Sequence, residues 1–187
     1  MLGTFGMNAN VIPDVTMFSP TDKFTDVGWD AQFQYLSDVH FITLRASYEY
    51  EWEKLDGSVF LGAAQNPKNH LAEFNVSATY SYDARYSVTA AYFNTQGSTD
   101  PILFGGTNFP SLTGSPNSSG EIIDIGYSPW SRGGPAFWPW LNTRFGVKFT
   151  HYDKLQGAST AYALNSDGTF RNASDDDSTL LYAWTAF

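Results

Sequence analysis

Apolar and polar residues alternate with a spacing of two through most of this chain, and that period predicts strands. Over residues 24–36, Val27, Trp29, Ala31, Phe33 and Tyr35 alternate with Gly28, Asp30, Gln32 and Gln34. Over 40–52, Ile42, Leu44, Ala46, Tyr48, Tyr50 and Trp52 share one face, and Thr43, Arg45, Ser47, Glu49 and Glu51 share the other. Strands of globular proteins average about five or six residues, whereas a tilted strand crossing a bilayer needs about nine to eleven. The 40–52 stretch meets the longer requirement. Over 70–82 the pattern recurs, with Phe74, Val76, Ala78, Tyr80 and Tyr82 opposite Glu73, Asn75, Ser77, Thr79 and Ser81. It continues over 86–95 (Tyr86, Val88, Ala90, Tyr92) and over 120–128, where Ile123, Ile125 and Tyr127 oppose Asp124 and Gly126. Over 141–153, Phe145, Val147 and Phe149 face away from Arg144, Gly146, Lys148 and Thr150. A weaker, Gly-rich strand is expected over 2–12. A last one over 179–187 sets Thr179, Leu181, Ala183, Thr185 and Phe187 against Leu180, Tyr182, Trp184 and Ala186.

The reading gives about eight strands and no convincing helix, although the apolar patch 59–64 fits a short helix or a strand extension. The connections alternate in length. Those at 13–23, 53–69, 96–119 and 154–177 are long, those at 37–39 and 83–85 are short, and the one at 129–140 is intermediate. Transmembrane barrels show this asymmetry, with short periplasmic turns and longer outer loops. The expected fold is therefore all-β: an antiparallel transmembrane β-barrel forming a single domain over 1–187. It is expected to be either a closed small barrel or the C-terminal part of a larger one.

Composition sharpens that picture. Charged residues are only 16% and aromatic residues 17%, against roughly 25% charged in ordinary soluble chains. The mean hydropathy is nevertheless negative, at -0.28, which suits strands with one greasy and one wet face. No apolar run approaches the ~18 residues of a transmembrane helix. A net charge of -9 argues against nucleic acid as a partner, because phosphates need a basic face. With no cysteine, disulfides and thiolate-bound metals are excluded. Residues 1–7 lack the basic and apolar regions of a signal peptide, so an exported chain of this sequence is expected to be a mature form or a C-terminal part.

The aromatic residues follow the strand ends. Tyr35, Phe41, Tyr80, Tyr82, Tyr86, Tyr127, Trp130, Trp138, Trp140 and Phe187 lie toward the short-turn end, and Tyr48, Tyr50 and Trp52 toward the long-loop end. Amphipathic rings settle at headgroup depth, which produces two aromatic girdles. A soluble sandwich would concentrate them at strand middles.

A final strand ending in Phe resembles the C-terminal signal of bacterial outer-membrane β-barrels, where that Phe marks the periplasmic end of the closing strand. A closer likeness rests on Thr25-Asp-Val-Gly-Trp-Asp-Ala-Gln-Phe-Gln-Tyr-Leu36, Glu121-Ile-Ile-Asp-Ile-Gly-Tyr-Ser-Pro-Trp130, Leu141-Asn-Thr-Arg-Phe-Gly-Val-Lys-Phe-Thr-His-Tyr152 and Asn172-Ala-Ser-Asp-Asp-Asp-Ser-Thr-Leu-Leu181. These stretches resemble a proteobacterial family of uncharacterised porin-like proteins sometimes associated with c-type cytochrome components. The likeness covers about two-thirds of the chain, and its motifs are structural. Members are about twice this length, so the resemblance is to their C-terminal half. It implies a bacterial outer-membrane location, the lipid bilayer as partner, and delivery by the barrel-assembly machinery through the last strand. It also implies pairing with upstream strands or other protein components. No haem motif is present, and no cofactor is expected.

The search for chemistry yields little. No phosphate loop, dinucleotide fingerprint, nucleophile elbow or HExxH sequence occurs, so no catalytic residue and no enzymatic activity are expected. His40, His70 and His151 show no metal-ligand spacing, and no metal site is expected. Asp30, Gln32, Arg45, Glu49, Glu51, Glu73, Asp124, Arg144 and Lys148 are the candidate lumen-facing residues. Glu49, Glu51 and Glu73 are expected to pair with Arg45, Arg144 or Lys148, not to form an acid/base pair. Asp167, Asp175, Asp176 and Asp177 are expected to form a solvated acidic loop, their spacing matching no EF-hand. Three functions follow from these readings: a porin-like passive channel, a non-conducting barrel that anchors or scaffolds an assembly such as an electron-transfer complex, or a soluble carbohydrate-binding β-sandwich.

Overall fold

The computed structural model describes residues 1–105, 111–136 and 140–186. The strands are β1 (Leu2–Val11), β2 (Asp22–Leu36), β3 (His40–Lys54), β4 (Lys68–Tyr82), β5 (Tyr86–Gly97), β6 (Ser118–Tyr127), β7 (Asn142–Lys154), β8 (Ala163–Leu164), β9 (Phe170–Arg171) and β10 (Ser178–Ala186). All but β8 and β9 join one eight-stranded antiparallel sheet, in the order β1-β2-β3-β4-β5-β6-β7-β10. Every neighbour in that order is the next long strand in the chain, so the sheet is a simple meander. A five-residue helix, α1 (Asp56–Phe60), sits in the β3–β4 loop, just ahead of the middle of the expected apolar patch. A 3-10 turn over Ala173–Asp176 precedes β10.

The expected strands form, and most run a residue or two longer than the alternation alone marked. Closure does not follow. Among the described residues β1 pairs with β2 alone and β10 with β7 alone, leaving two open edges. Main-chain groups on those edges have no ladder partner, a condition lipid does not tolerate.

Register assigns the faces. On one face Tyr35, Ile42, Tyr80, Val88, Ile125, Val147 and Leu181 form a single cross-strand row. The next row toward the short turns runs through Tyr82, Tyr86, Tyr127 and Phe145. Most of these side chains are substantially exposed, and this face carries an apolar, aromatic surface from β2 to β7. The opposite face holds Asp30, Ser47, Asn75 and Phe93 in one row, and Gln34, Thr43, Thr79, Thr89, Asp124 and Lys148 in another. Thr79 and Thr89 share a hydroxyl hydrogen bond of 2.8 Å.

The edge strands break this rule. β1 turns Thr4, Gly6, Asn8 and Asn10 to the apolar face and Phe5 and Met7 to the polar one, while β10 puts Leu180, Tyr182 and Trp184 on the polar face. Phe5 lies flat over Gly28, and Tyr182 over Gly146. A Cβ at Gly28 would collide with the Phe5 ring and stand 2.9 Å from the Tyr48 carbonyl oxygen. Gly28→Ala should therefore destabilise the β1–β2 ladder by about 1–3 kcal/mol. In urea unfolding, the double variant with Phe5→Ala should cost less than the sum of the two single changes; strict additivity would refute the ring-over-glycine contact.

The buried apolar residues of the described chain are Leu55, Ala64, Tyr162, Ala163 and Ala173. All lie in the long-loop layer and none in the eight-stranded sheet. Two carboxylates organise that layer. Asp22 accepts from the Gly57 and Ser58 amides at 2.7 and 3.0 Å and from the Ser58 hydroxyl at 2.5 Å, holding the start of α1. Asp100 joins the β3–β4 and β5–β6 loops by accepting from Gln65, Asn66, Ile102 and Leu103 amides. At the other end the short connections meet: Asp83 pairs with Arg132 at 2.7 Å, and Arg132 donates to the Asp38 carbonyl.

Candidate functional site

The polar face of the sheet is where the candidate residues converge. Register brings Asp30, Gln32, Arg45, Glu49, Glu51, Glu73, Asp124, Arg144 and Lys148 onto this one face. Asp30 partners Ser47, Gln32 partners Arg45, and Glu49 lies directly across from Glu73. An open concavity of about 340 Å³ is lined from this face by Asp30, Gln32, Arg45, Asn75 and Ser77. Toward the long loops a second hollow, of about 160 Å³, is bounded by Glu49, Glu51, Leu71 and Glu73.

Charge is segregated across the face. Its loop-end half on β2–β4 carries Asp26, Glu49, Glu51, Glu53 and Glu73. Arg144 and Lys148 lie on β7, toward the other edge. Arg144 donates to Asp124 at 3.0 Å, and the Tyr182 hydroxyl donates to the same carboxylate at 3.0 Å, so β6, β7 and β10 share one network. The expected pairing of the glutamates with Arg45, Arg144 or Lys148 is not found among the described residues; Glu73 instead accepts from the Asn75 amide at 2.6 Å. The reason is distance. β4 and β7 are three strands apart, about 14 Å, and Arg45 stands four residues along β3 from Glu49, about 13 Å. Among the described residues the acidic half is left without a paired cation.

Asp26 was absent from the sequence-derived set, yet it is only 2% exposed, lies across from Glu51 and has an unpartnered carboxylate oxygen. Strand parity alone would have found it, because it shares the face of Gly28, Asp30 and Gln32.

The girdle residues Tyr35, Tyr48, Tyr50, Trp52, Tyr80, Tyr82, Tyr86 and Tyr127 all lie on the apolar face. Tyr86 and Tyr127 stack at 5.2 Å, and Tyr50 meets Trp52 at 4.5 Å. Trp130 and the exposed Trp140 belong to the connection after β6. Phe187 and Trp138 lie outside the described residues.

The acidic last loop is more ordered than a solvated one. Asp167 accepts from Thr169, and Asp175 closes a capping box with Asn172. Asp176 binds Arg171 and the Tyr162 hydroxyl. Burial and the hydrogen bond to Asp176 push the Tyr162 phenol up to about 12. His40 is paired with the Tyr80 hydroxyl and His70 with Ser98, each at 2.8 Å. Compared with models of known protein families, with curated proteins and with solved structures, the chain matches none.

Proposed function

We propose that this chain forms wall of a bacterial outer-membrane β-barrel of the porin-like kind, a passive channel or channel component whose polar face lines the lumen. The observation that carries the reading is the division of one long-stranded sheet into an apolar, aromatic face and a charged face, with the buried apolar core confined to the loops. A single sheet exposed to water on both faces has no core to fold around. Hydrocarbon against the apolar face supplies that burial. A sandwich needs two packed sheets, whereas the described strands form one large sheet and a two-stranded ribbon. The partners on this reading are the bilayer, the assembly machinery that inserts the strands, and whatever completes the open edges.

The uncompensated carboxylates on β2–β4 make the lumen cation-preferring. In planar bilayers under a salt gradient, the reversal potential should report cation preference. The triple change Glu49→Gln, Glu51→Gln and Glu73→Gln should bring the permeability ratio toward unity. Absence of conductance from the inserted protein would sink the channel reading.

A second reading, a non-conducting anchor, draws on one observation: Phe5, Met7, Leu180, Tyr182 and Trp184 all crowd the polar face near the open edges. If β1 met β10, these side chains would fill the interior of an eight-stranded barrel. Because the chain has no cysteine, the cross-link test is clean. A disulfide forming within one chain between Thr4→Cys and Thr185→Cys would favour the anchor. Its absence alongside conductance would favour the channel.

A further inference from the structure

We infer that Glu121, His151 and Asp153 form a site for a divalent transition-metal ion at the loop end of the apolar face. Glu121 and His151 are cross-strand partners on β6 and β7. In a regular ladder the next residue on that face of β7 would lie a full pleat repeat away, about 6.6 Å along the strand. Here the register slips: Gly120 pairs with Tyr152 and Ser119 with Lys154, so Asp153 is the extra residue of a bulge. A bulge re-aims the side chain it carries. It brings the Asp153 carboxylate to 3.7 Å from Nε2 of His151. One ligand atom from each of the three residues lies within 4.8 Å of the others. The bulge itself depends on Gly120, since a Cβ there would run into the His151 carbonyl oxygen and main chain.

The imidazole is already oriented for ligation. Its Nδ1 stands 2.6 Å from Asp177, and an ionised carboxylate only accepts, so the proton resides on Nδ1 when the ring is neutral. Nε2 then carries the free lone pair, 3.7 Å from the Asp153 carboxylate. Asp177 is itself held by the Tyr152 amide at 2.9 Å. A carboxylate behind a ligating histidine is the arrangement that fixes tautomer and ring orientation at metal centres. One nitrogen and two carboxylate oxygens suit Zn²⁺ and leave a coordination position for water. The two carboxylates balance the ion's charge. The inference rests on strand geometry and stands apart from the channel reading.

The test is Zn²⁺ titration by calorimetry of the folded, tag-free chain, with Co²⁺ absorption as a second readout. Saturable binding of one ion per chain is expected, together with visible Co²⁺ bands characteristic of nitrogen and oxygen ligation. His151→Ala should abolish both, Asp153→Asn and Glu121→Gln should weaken binding, and Asp177→Asn should lower affinity by roughly 10- to 100-fold. His70→Ala should leave binding unchanged. Circular dichroism of each variant establishes that the sheet is retained. No saturable binding, or undiminished affinity in a folded His151→Ala chain, would overturn the inference.

Discussion

Leu44→Arg should cost about 2–4 kcal/mol of folding free energy in lipid bilayers, while Thr43→Arg, one residue away, should cost little. Leu44 sits on the apolar face in a row with Phe33, Ala78, Ala90 and Ile123, between the row of Tyr35 and Tyr80 and the level of Tyr48. Thr43 is on the opposite face beside Gln34 and Thr79. On the proposed reading a guanidinium at the first position must leave water for hydrocarbon, while at the second it joins polar neighbours in an aqueous lumen. In water the contrast would vanish, because Leu44 is already 44% exposed and surface substitutions usually stay within about 0.5 kcal/mol. Equilibrium unfolding from liposomes measures both variants on one scale. Equal costs, or a larger cost for Thr43→Arg, would refute the membrane assignment of the apolar face.

Asp100→Ala should be the most damaging single change in the loop layer, costing about 3–5 kcal/mol there. This carboxylate is fully buried, at 0% exposure. It accepts from Asn66 at 2.9 Å, from Gln65 and Leu103 at 3.0 Å and from Ile102 at 3.1 Å, with the Asn69 side-chain amide at 3.3 Å. Removing it leaves buried N–H donors without acceptors, each a desolvated group that water no longer reaches. Amide hydrogen exchange should show protection at Gln65, Asn66 and Leu103 falling by roughly a hundredfold or more. Asp100→Asn, which keeps one acceptor oxygen, should lose less. Unchanged protection in the alanine variant would remove Asp100 from the role assigned to it.

The same carboxylate gives the loop layer a pH dependence of definite sign. Burial pushes the Asp100 carboxyl up, but the amides of Leu103, Asn66 and Gln65 and the Asn69 side chain together hold it below the ordinary value. A group whose pKa is depressed on folding stabilises the fold fully above its unfolded value, about 3.9. That contribution is lost as pH falls through the lower folded value. Loop protection should therefore be flat above pH ~5 and decline below pH ~4. Asp100→Asn should abolish that acid-dependent part.

Much of the fold was legible in the sequence because alternation is a local property. Each strand from β2 to β7 writes its two faces directly into residue parity, because side chains alternate between the faces at every position. The placement of the candidate residues from Asp30 to Lys148 on one face follows from the same rule. Ion pairing among them was not legible: it depends on how many strands separate two residues, and Arg144 found Asp124 on the adjacent strand instead of any glutamate on β3 or β4. The buried position of Asp100 was equally hidden, since its partners Gln65, Asn66 and Asn69 stand more than thirty residues earlier.

By itself, then, the sequence determined the strands, their order of faces and the contrast between short turns and long loops, because period, turn residues and aromatic placement act over a few neighbours. Tertiary structure alone decided three things. It left β1 and β10 unpaired with each other, since closure depends on curvature and stagger accumulated over the whole sheet. It turned Phe5 and Tyr182 onto glycines of the neighbouring strands, a contact fixed by register between strands. And it placed Asp153 beside His151 through a single bulged residue, which alternation within one strand cannot reveal because the slip exists only relative to the partner strand.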